Sequence, residues 1–439
     1  MPVVHTKRRR TRFGSPLSWL SQISLPILTI VLLLAFPHVS IQASTLGERS
    51  LEELSVQAVE SLVSLRDSVK NIDPTDPSSH LSRILIPRPA DSDNNTLVRN
   101  YIVSTLKALN WEVEEDIFTD DTPYGTKRFT NVIATKDPSA SRRVILSAHF
   151  DSKYFSSFPQ NQFVGATDSA FPCALMLDLA ETLDPLLNAR KERLEQGLEE
   201  DDEVADTTLQ LVFFDGEEAF REWTATDSVY GARHLAEKWA TTFIAPHTKR
   251  HLPTPSASEI STIEHLILLD LLGAPNPFIR SAFLDTAWLF DGLVAAERRL
   301  ASSGAFAEDG IPNPDIRSFF IPRRAGEGNM NYVEDDHIPF LKRGVSILHV
   351  IATPFPRVWH TLSDDASALD LPTMRRWNLI FRVFFAEYLG LRPEVRSSRE
   401  DRNTHSSRSH EELVRRFIDR RPNTGLTPRL TCVRRLGYG

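Results

Sequence analysis

The sequence predicts an α/β fold, a three-layer sandwich whose central mixed, mainly parallel sheet is flanked by helices. Three observations carry that expectation. Four apolar runs without polar alternation, Arg143 to Ala148, Leu209 to Phe214, His265 to Leu269 and Val345 to Ile351, fit strands covered on both faces. Stretches of helical spacing lie between them, as crossovers between parallel strands require. Acid or histidine then follows the apolar runs: His149 and Asp151, Asp168, Glu217 and Glu218, Asp270, and finally His360. Parallel strands bring their carboxyl ends to one edge, where open α/β sheets bind their ligands, so residues far apart in sequence can converge there.

Composition narrows the class. At 439 residues the chain can hold one large α/β domain or two smaller ones. Hydrophobic residues at 41% and charged residues at 25% are those of a soluble globular protein. A net charge of -8 gives no reason to expect nucleic acid as a partner. Cys173 and Cys432 are the only cysteines, which excludes a disulfide-built scaffold.

Residues 1–43 hold a basic cluster, Lys7 to Arg10 with Arg12, ahead of an apolar stretch centred on Leu25 to Phe36. That stretch is shorter than the ~20 residues of a comfortable membrane span, and Pro26 and Pro37 bracket it, so a secretory signal is expected. Cleavage after Ala43 fits, but Ile41 is a poor small residue two positions earlier, which leaves an uncleaved signal anchor as the alternative. Both deliver the body, residues 51–392, to the secretory pathway. The sequon Asn94-Asn95-Thr96 suits glycosylation there.

Helical spacing predicts a first helix from Leu51 to Ile72 and a second from Thr96 to Leu109 capped by Asn95. Trp111 to Phe118 and Phe129 to Lys136, joined through Thr122-Pro123-Tyr124-Gly125, read as a hairpin. Helices are expected at Pro172 to Leu187, Ser228 to Trp239, Trp288 to Ser302 and Met374 to Leu389. The acidic run Glu199 to Glu203 reads as a solvated insertion and His251 to Ser258 as a surface loop. Residues 393–439, rich in Arg, Ser and His, lack a sustained apolar period and are expected to be a basic, disordered tail.

The stretch Leu211 to Phe220 concentrates the chemistry, because its apolar run stops at Asp215-Gly216-Glu217-Glu218. Successive residues leaving a strand point in different directions, so one glutamate can ligate a metal while the other faces a substrate. Mixed carboxylate and imidazole donors suit zinc, and a catalytic zinc takes three protein ligands with one position open. Asp168, Glu218 and His360 are the best three.

The strings His149-Phe150-Asp151-Ser152-Lys153-Tyr154, Val164-Gly165-Ala166-Thr167-Asp168-Ser169-Ala170, Phe213 to Phe220, Asp270 to Pro277, Asp335-Asp336-His337-Ile338-Pro339-Phe340 and Pro354 to Thr361 resemble the animal glutaminyl-peptide cyclotransferases, members of the zinc aminopeptidase superfamily. The resemblance spans Leu51 to Leu391 and implies a zinc-aminopeptidase-like fold and one Zn2+ on Asp168, Glu218 and His360. It further implies Glu217 as acid/base, Asp270 and Asp335 as supporting carboxylates, and Trp223, Phe355 and Trp359 as walls of the substrate pocket. The implied reaction closes the N-terminal glutamine of a peptide or protein to pyroglutamate and expels ammonia. The implied protein is a monomer, secreted or anchored in the Golgi membrane. Two positions depart from the pattern. Ala148 stands where many members have a cysteine that pairs with the one matching Cys173, so that bridge cannot form, and Glu334 replaces a frequent glutamine.

Two other readings use the same residues. A secreted aminopeptidase would hold two zincs among His149, Asp168, Glu217, Glu218, Asp270 and His360, with Asp168 bridging. A non-catalytic binding module on this fold would not need the intact ligands. A serine hydrolase is disfavoured because no Gly-x-Ser-x-Gly elbow is present.

Overall fold

A computed structural model describes residues 49–394 except 199–205, 246–256, 308–315, 325 and 331. The expected signal segment, the acidic insertion, the basic tail from residue 395 and most of the His251 to Ser258 loop lie outside those residues, as does Cys432.

The sheet has six strands, β1 (Glu112–Thr122), β2 (Gly125–Thr135), β3 (Arg142–His149), β4 (Thr207–Phe214), β5 (Ile263–Asp270) and β8 (Ser346–Ile351), in the order β1-β2-β4-β3-β5-β8. The β1–β2 and β2–β4 pairs are antiparallel; β4–β3, β3–β5 and β5–β8 are parallel. The mixed, mainly parallel sheet is therefore as expected. β4 and β5 are buried at every position, which is why their sequences show no alternation. The hairpin turns through Pro123 and Tyr124, with Thr122 opposite Gly125. Its β1 edge carries Glu112, Glu114, Asp120 and Asp121, charges that discourage pairing with another chain.

Apolar side chains from both faces make two large cores, beside a smaller cluster around Phe118, Phe129, Phe220 and Tyr230. One joins β3 and β4 to α4 (Phe171–Glu195), α6 (Ala287–Ser302) and α8 (Leu371–Tyr388); the other lies under α5 (Tyr230–Thr241). The pair β6 (Ile279–Arg280) and β7 (Phe320–Ile321) and the single turn α7 (Ile338–Leu341) lie between β5 and β8. These short pieces have too few residues to show a period.

Three sequence expectations are corrected. The first helix is α1 (Val56–Ser64) rather than Leu51 to Ile72. Ser55 caps it, Ser64 bonds back to the Glu60 and Ser61 carbonyls, and the Asp67 side chain accepts from Val69 N, so local polar bonds replace the helix ladder. The chain then forms an unforeseen short helix, α2 (His80–Ile84). The cap of α3 (Asp93–Ala108) is Ser92, whose hydroxyl accepts from Asn95 N; the Asn95 side chain instead reaches Asp215 Oδ1 at 2.9 Å. Finally, α4 runs past Leu187 and through Pro185 to Glu195, where Arg190 bonds the Thr207 carbonyl.

Candidate active site

Gly216 sets the geometry of the glutamate pair. It leaves β4 at φ 77°, in the left-handed region, and a Cβ there would lie 2.5 Å from the Phe129 ring. Glu217 and Glu218 follow, both buried at the carboxyl edge of the sheet. Asp151, just past β3, grips them: Glu217 N donates to its Oδ1 at 3.2 Å and Glu218 N to its Oδ2 at 3.4 Å.

Asp168 arrives on the loop before α4. That loop opens at Gly165, φ 55°, where a Cβ would meet the Asp168 carbonyl oxygen at 2.1 Å. Arg88, fully buried, donates to the carbonyls of Phe150 and Val164 and ties this loop to the end of β3. His360 lies on the loop after β8, also at φ 55°. The Trp359 ring stacks on its imidazole with centroids 3.9 Å apart, and Phe163 meets it edge-on at 6.2 Å. Asp364 joins the two loops, since its Oδ1 accepts from Thr167 N at 2.8 Å and its carbonyl from Ala166 N at 3.0 Å.

Asp168, Glu218 and His360 consequently each offer one donor atom within 4.8 Å of the others. His360 Nε2 lies 3.3 Å from both Asp168 Oδ2 and Glu218 Oε1, close enough for an ion pair, yet neither buried oxygen has a hydrogen-bond partner. Buried polar atoms left without partners are costly. Two carboxylates and an imidazole aimed at one point fit zinc with a fourth position open. His149, Asp168 and Asp270 form a second such group sharing Asp168, and Asp335, His337 and His349 a third.

The electrostatics follow from this crowding. Burial opposes ionisation of Asp168, but the His149 and His360 imidazoles hold its carboxyl well below the usual range. Burial likewise disfavours the His360 imidazolium, and Asp168 and Glu218 outweigh it, raising His360 to about 9. Glu217 is pushed well above its ordinary value by burial, reinforced by Asp335, Glu218 and Asp336 against the opposing charge of His149. Burial raises Asp270 to about 6, with His149 opposing and Asp335 and Asp168 adding to it. Asp335 is also buried, but His349 Nε2 at 2.8 Å keeps it low.

A cavity of about 470 Å³ opens onto these groups. Glu217, Asp270 and Asp335 line it, and Trp223, Phe355 and Trp359 form aromatic walls. Ser169 Oγ donates to Asp270, while Phe355 and Trp359 meet at 5.0 Å. Every residue singled out from the sequence for this site is thus at one place. Four contributors had no assigned role. Lys153 sits 3.3 Å from Glu218 Oε2 and was visible only as part of a string. His349 had the signal of an imidazole inside an apolar strand. Arg88 and Asp364 had none, because a buried guanidinium bonding carbonyls and a loop-to-loop contact leave no pattern in one dimension. Cys173 is a free buried thiol on α4, donating to the His149 carbonyl at 3.2 Å.

Fold and site together define a metal-dependent, peptidase-like α/β enzyme. Residues 131–385 match the family model described as peptidase family M28. The chain is 42% identical over 313 residues to the glutaminyl-peptide cyclotransferase of Drosophila melanogaster, covering 70% of this chain and 79% of that protein. It is 45% identical over 314 residues to the glutaminyl-peptide cyclotransferase-like protein of Mus musculus, covering 71% and 74%. The crystal structure of Macrostomum lignano glutaminyl cyclase matches with a TM-score of 0.64 at 36% identity, over 79% of this chain and 97% of that one. The chain belongs to peptidase family M28 and, within it, to the glutaminyl-peptide cyclotransferases.

Proposed function

We propose that this enzyme cyclises N-terminal glutaminyl residues of peptides and proteins to pyroglutamate with release of ammonia, using one zinc held by Asp168, Glu218 and His360. The observation that carries the reading is the convergence of that donor set with Glu217 in an aromatic-walled cavity, in a chain so similar to named cyclotransferases. Bound zinc would supply Lewis-acid polarisation of the glutamine side-chain carbonyl and charge for the developing oxyanion. Glu217 takes a proton from the peptide's own amine and returns one to the leaving nitrogen. Trp223, Phe355 and Trp359 hold the folded-back conformer and exclude water as a rival nucleophile. Asp270 and Asp335 support Glu217 across the cavity. Residues 51–392 form the enzyme domain, and residues 1–43 direct it into the secretory pathway.

Incubation of purified protein with a glutamine-initiated peptide separates the alternatives by mass. Loss of ammonia from an otherwise intact peptide is expected. The shared-Asp168 group with His149 and Asp270 favours one rival, a two-zinc aminopeptidase. Release of free glutamine by a protein holding two zincs per chain would establish that rival instead.

A further inference from the structure

Cyclisation draws only the first residue of a peptide to the cavity floor, so the second and third must leave past its mouth. Trp223, 42% exposed, and Trp359, 40% exposed, stand there with the exposed Glu334. Trp223 Nε1 donates to Glu334 Oε2 at 3.4 Å, which keeps the carboxylate beside the indole. Glu334 makes no ion pair among the described residues.

Lys153, the ammonium among the cavity-lining groups, is committed inward. Its Nζ lies 3.3 Å from Glu218 Oε2 and 3.1 Å from the Ala219 carbonyl, and its side chain is 17% exposed. Among the cavity-lining residues the uncommitted charge at the mouth is therefore negative, and it sits beside two indoles whose faces attract cations.

We propose that Glu334 makes this enzyme selective for peptides carrying Lys or Arg at the second or third position and disfavours Asp or Glu there. The proposal rests on the cyclase reading. A solvent-facing pair of this kind changes affinity by about threefold, and added salt screens it.

The test compares kcat/KM, followed by ammonia release, for three peptides of equal length beginning Gln-Lys, Gln-Ala and Gln-Glu, at low and high salt. Wild type is expected to rank them Lys over Ala over Glu with steps of about threefold, narrowing in high salt. Glu334→Gln should bring the three within about twofold of one another, and Glu334→Lys should invert the order. Because Glu334 is exposed, both variants are expected to fold, which circular dichroism and zinc content would verify. Equal rates for the three peptides with wild type, or an unchanged ranking in either variant, would overturn the proposal. Ammonia from none of them would instead overturn the cyclase reading on which it stands.

Discussion

Glu217 and Glu218 are adjacent, chemically identical and both buried, but the turn at Gly216 gives them different surroundings. Glu218 points an unpartnered oxygen at His360 Nε2 and Asp168, whereas Glu217 faces Asp335 and the cavity. Glu217→Gln is therefore expected to retain zinc and lose turnover by about 10²–10⁴-fold, the usual contribution of general acid-base catalysis. Glu218→Gln should weaken zinc binding itself. Metal content alongside steady-state rates checks both; zinc loss in the first variant with retention in the second would reverse the roles. The pair was legible in the sequence because an apolar run stopping in acid marks a strand's end. What no sequence pattern conveys is the grip of Asp151 on both glutamate amides, since that contact crosses from β3 to β4.

Among the elements, the parallel strands are more legible in the sequence than the hairpin, whose strands run four residues further toward the turn on each side than expected, or the helix ends. β3, β4, β5 and β8 are continuous apolar runs because both faces are covered, and such runs stand out. Helix ends depend on which polar side chain wins a local competition, as Ser92 does over Asn95 and Ser64 does within α1. The loops matter most for function, and Asp364 shows why. Its carboxylate accepts from Thr167 N and so holds the His360-bearing loop to the Asp168-bearing one. Asp364→Ala leaves that buried N–H without an acceptor, a cost of about 1–3 kcal/mol. Zinc affinity should fall by about 10–100-fold, as when a group supporting metal ligands is removed. Denaturant titration and competition with a zinc chelator measure the two effects separately. Unchanged zinc affinity in a destabilised variant would show that Asp364 serves the fold alone.

On the scale of the whole molecule, a second buried polar cluster lies on β5 away from the cavity and ties the first described residues to the last helix. Glu264 on β5 pairs with Arg49 at 3.4 Å and Arg142 at 3.0 Å, and Tyr388 on α8 donates to it at 2.9 Å. The neighbouring His265 meets the same Tyr388 hydroxyl through Nδ1 at 2.7 Å, while its Nε2 is buried without a partner against Trp288. Burial lowers His265 to about 4, with Glu264 opposing and Arg49 assisting. In the unfolded chain an imidazole titrates near 6.5, so between about pH 6.5 and 4 the unfolded state binds the extra proton. Stability supplied by a neutral His265 is full above that window and lost as pH falls through it, to a limit of roughly 3 kcal/mol. His265→Gln can still bond the Tyr388 hydroxyl and carries no titrating group. Denaturant unfolding of both proteins at about pH 7.5 and about pH 4.5 should show wild type losing roughly 2–3 kcal/mol more than the variant. Groups common to both, including those at the metal site, cancel in that difference. Equal losses would mean that His265 titrates alike in the native and unfolded states, and a smaller loss in wild type than in the variant would mean that it is protonated in the native state, paired with Glu264.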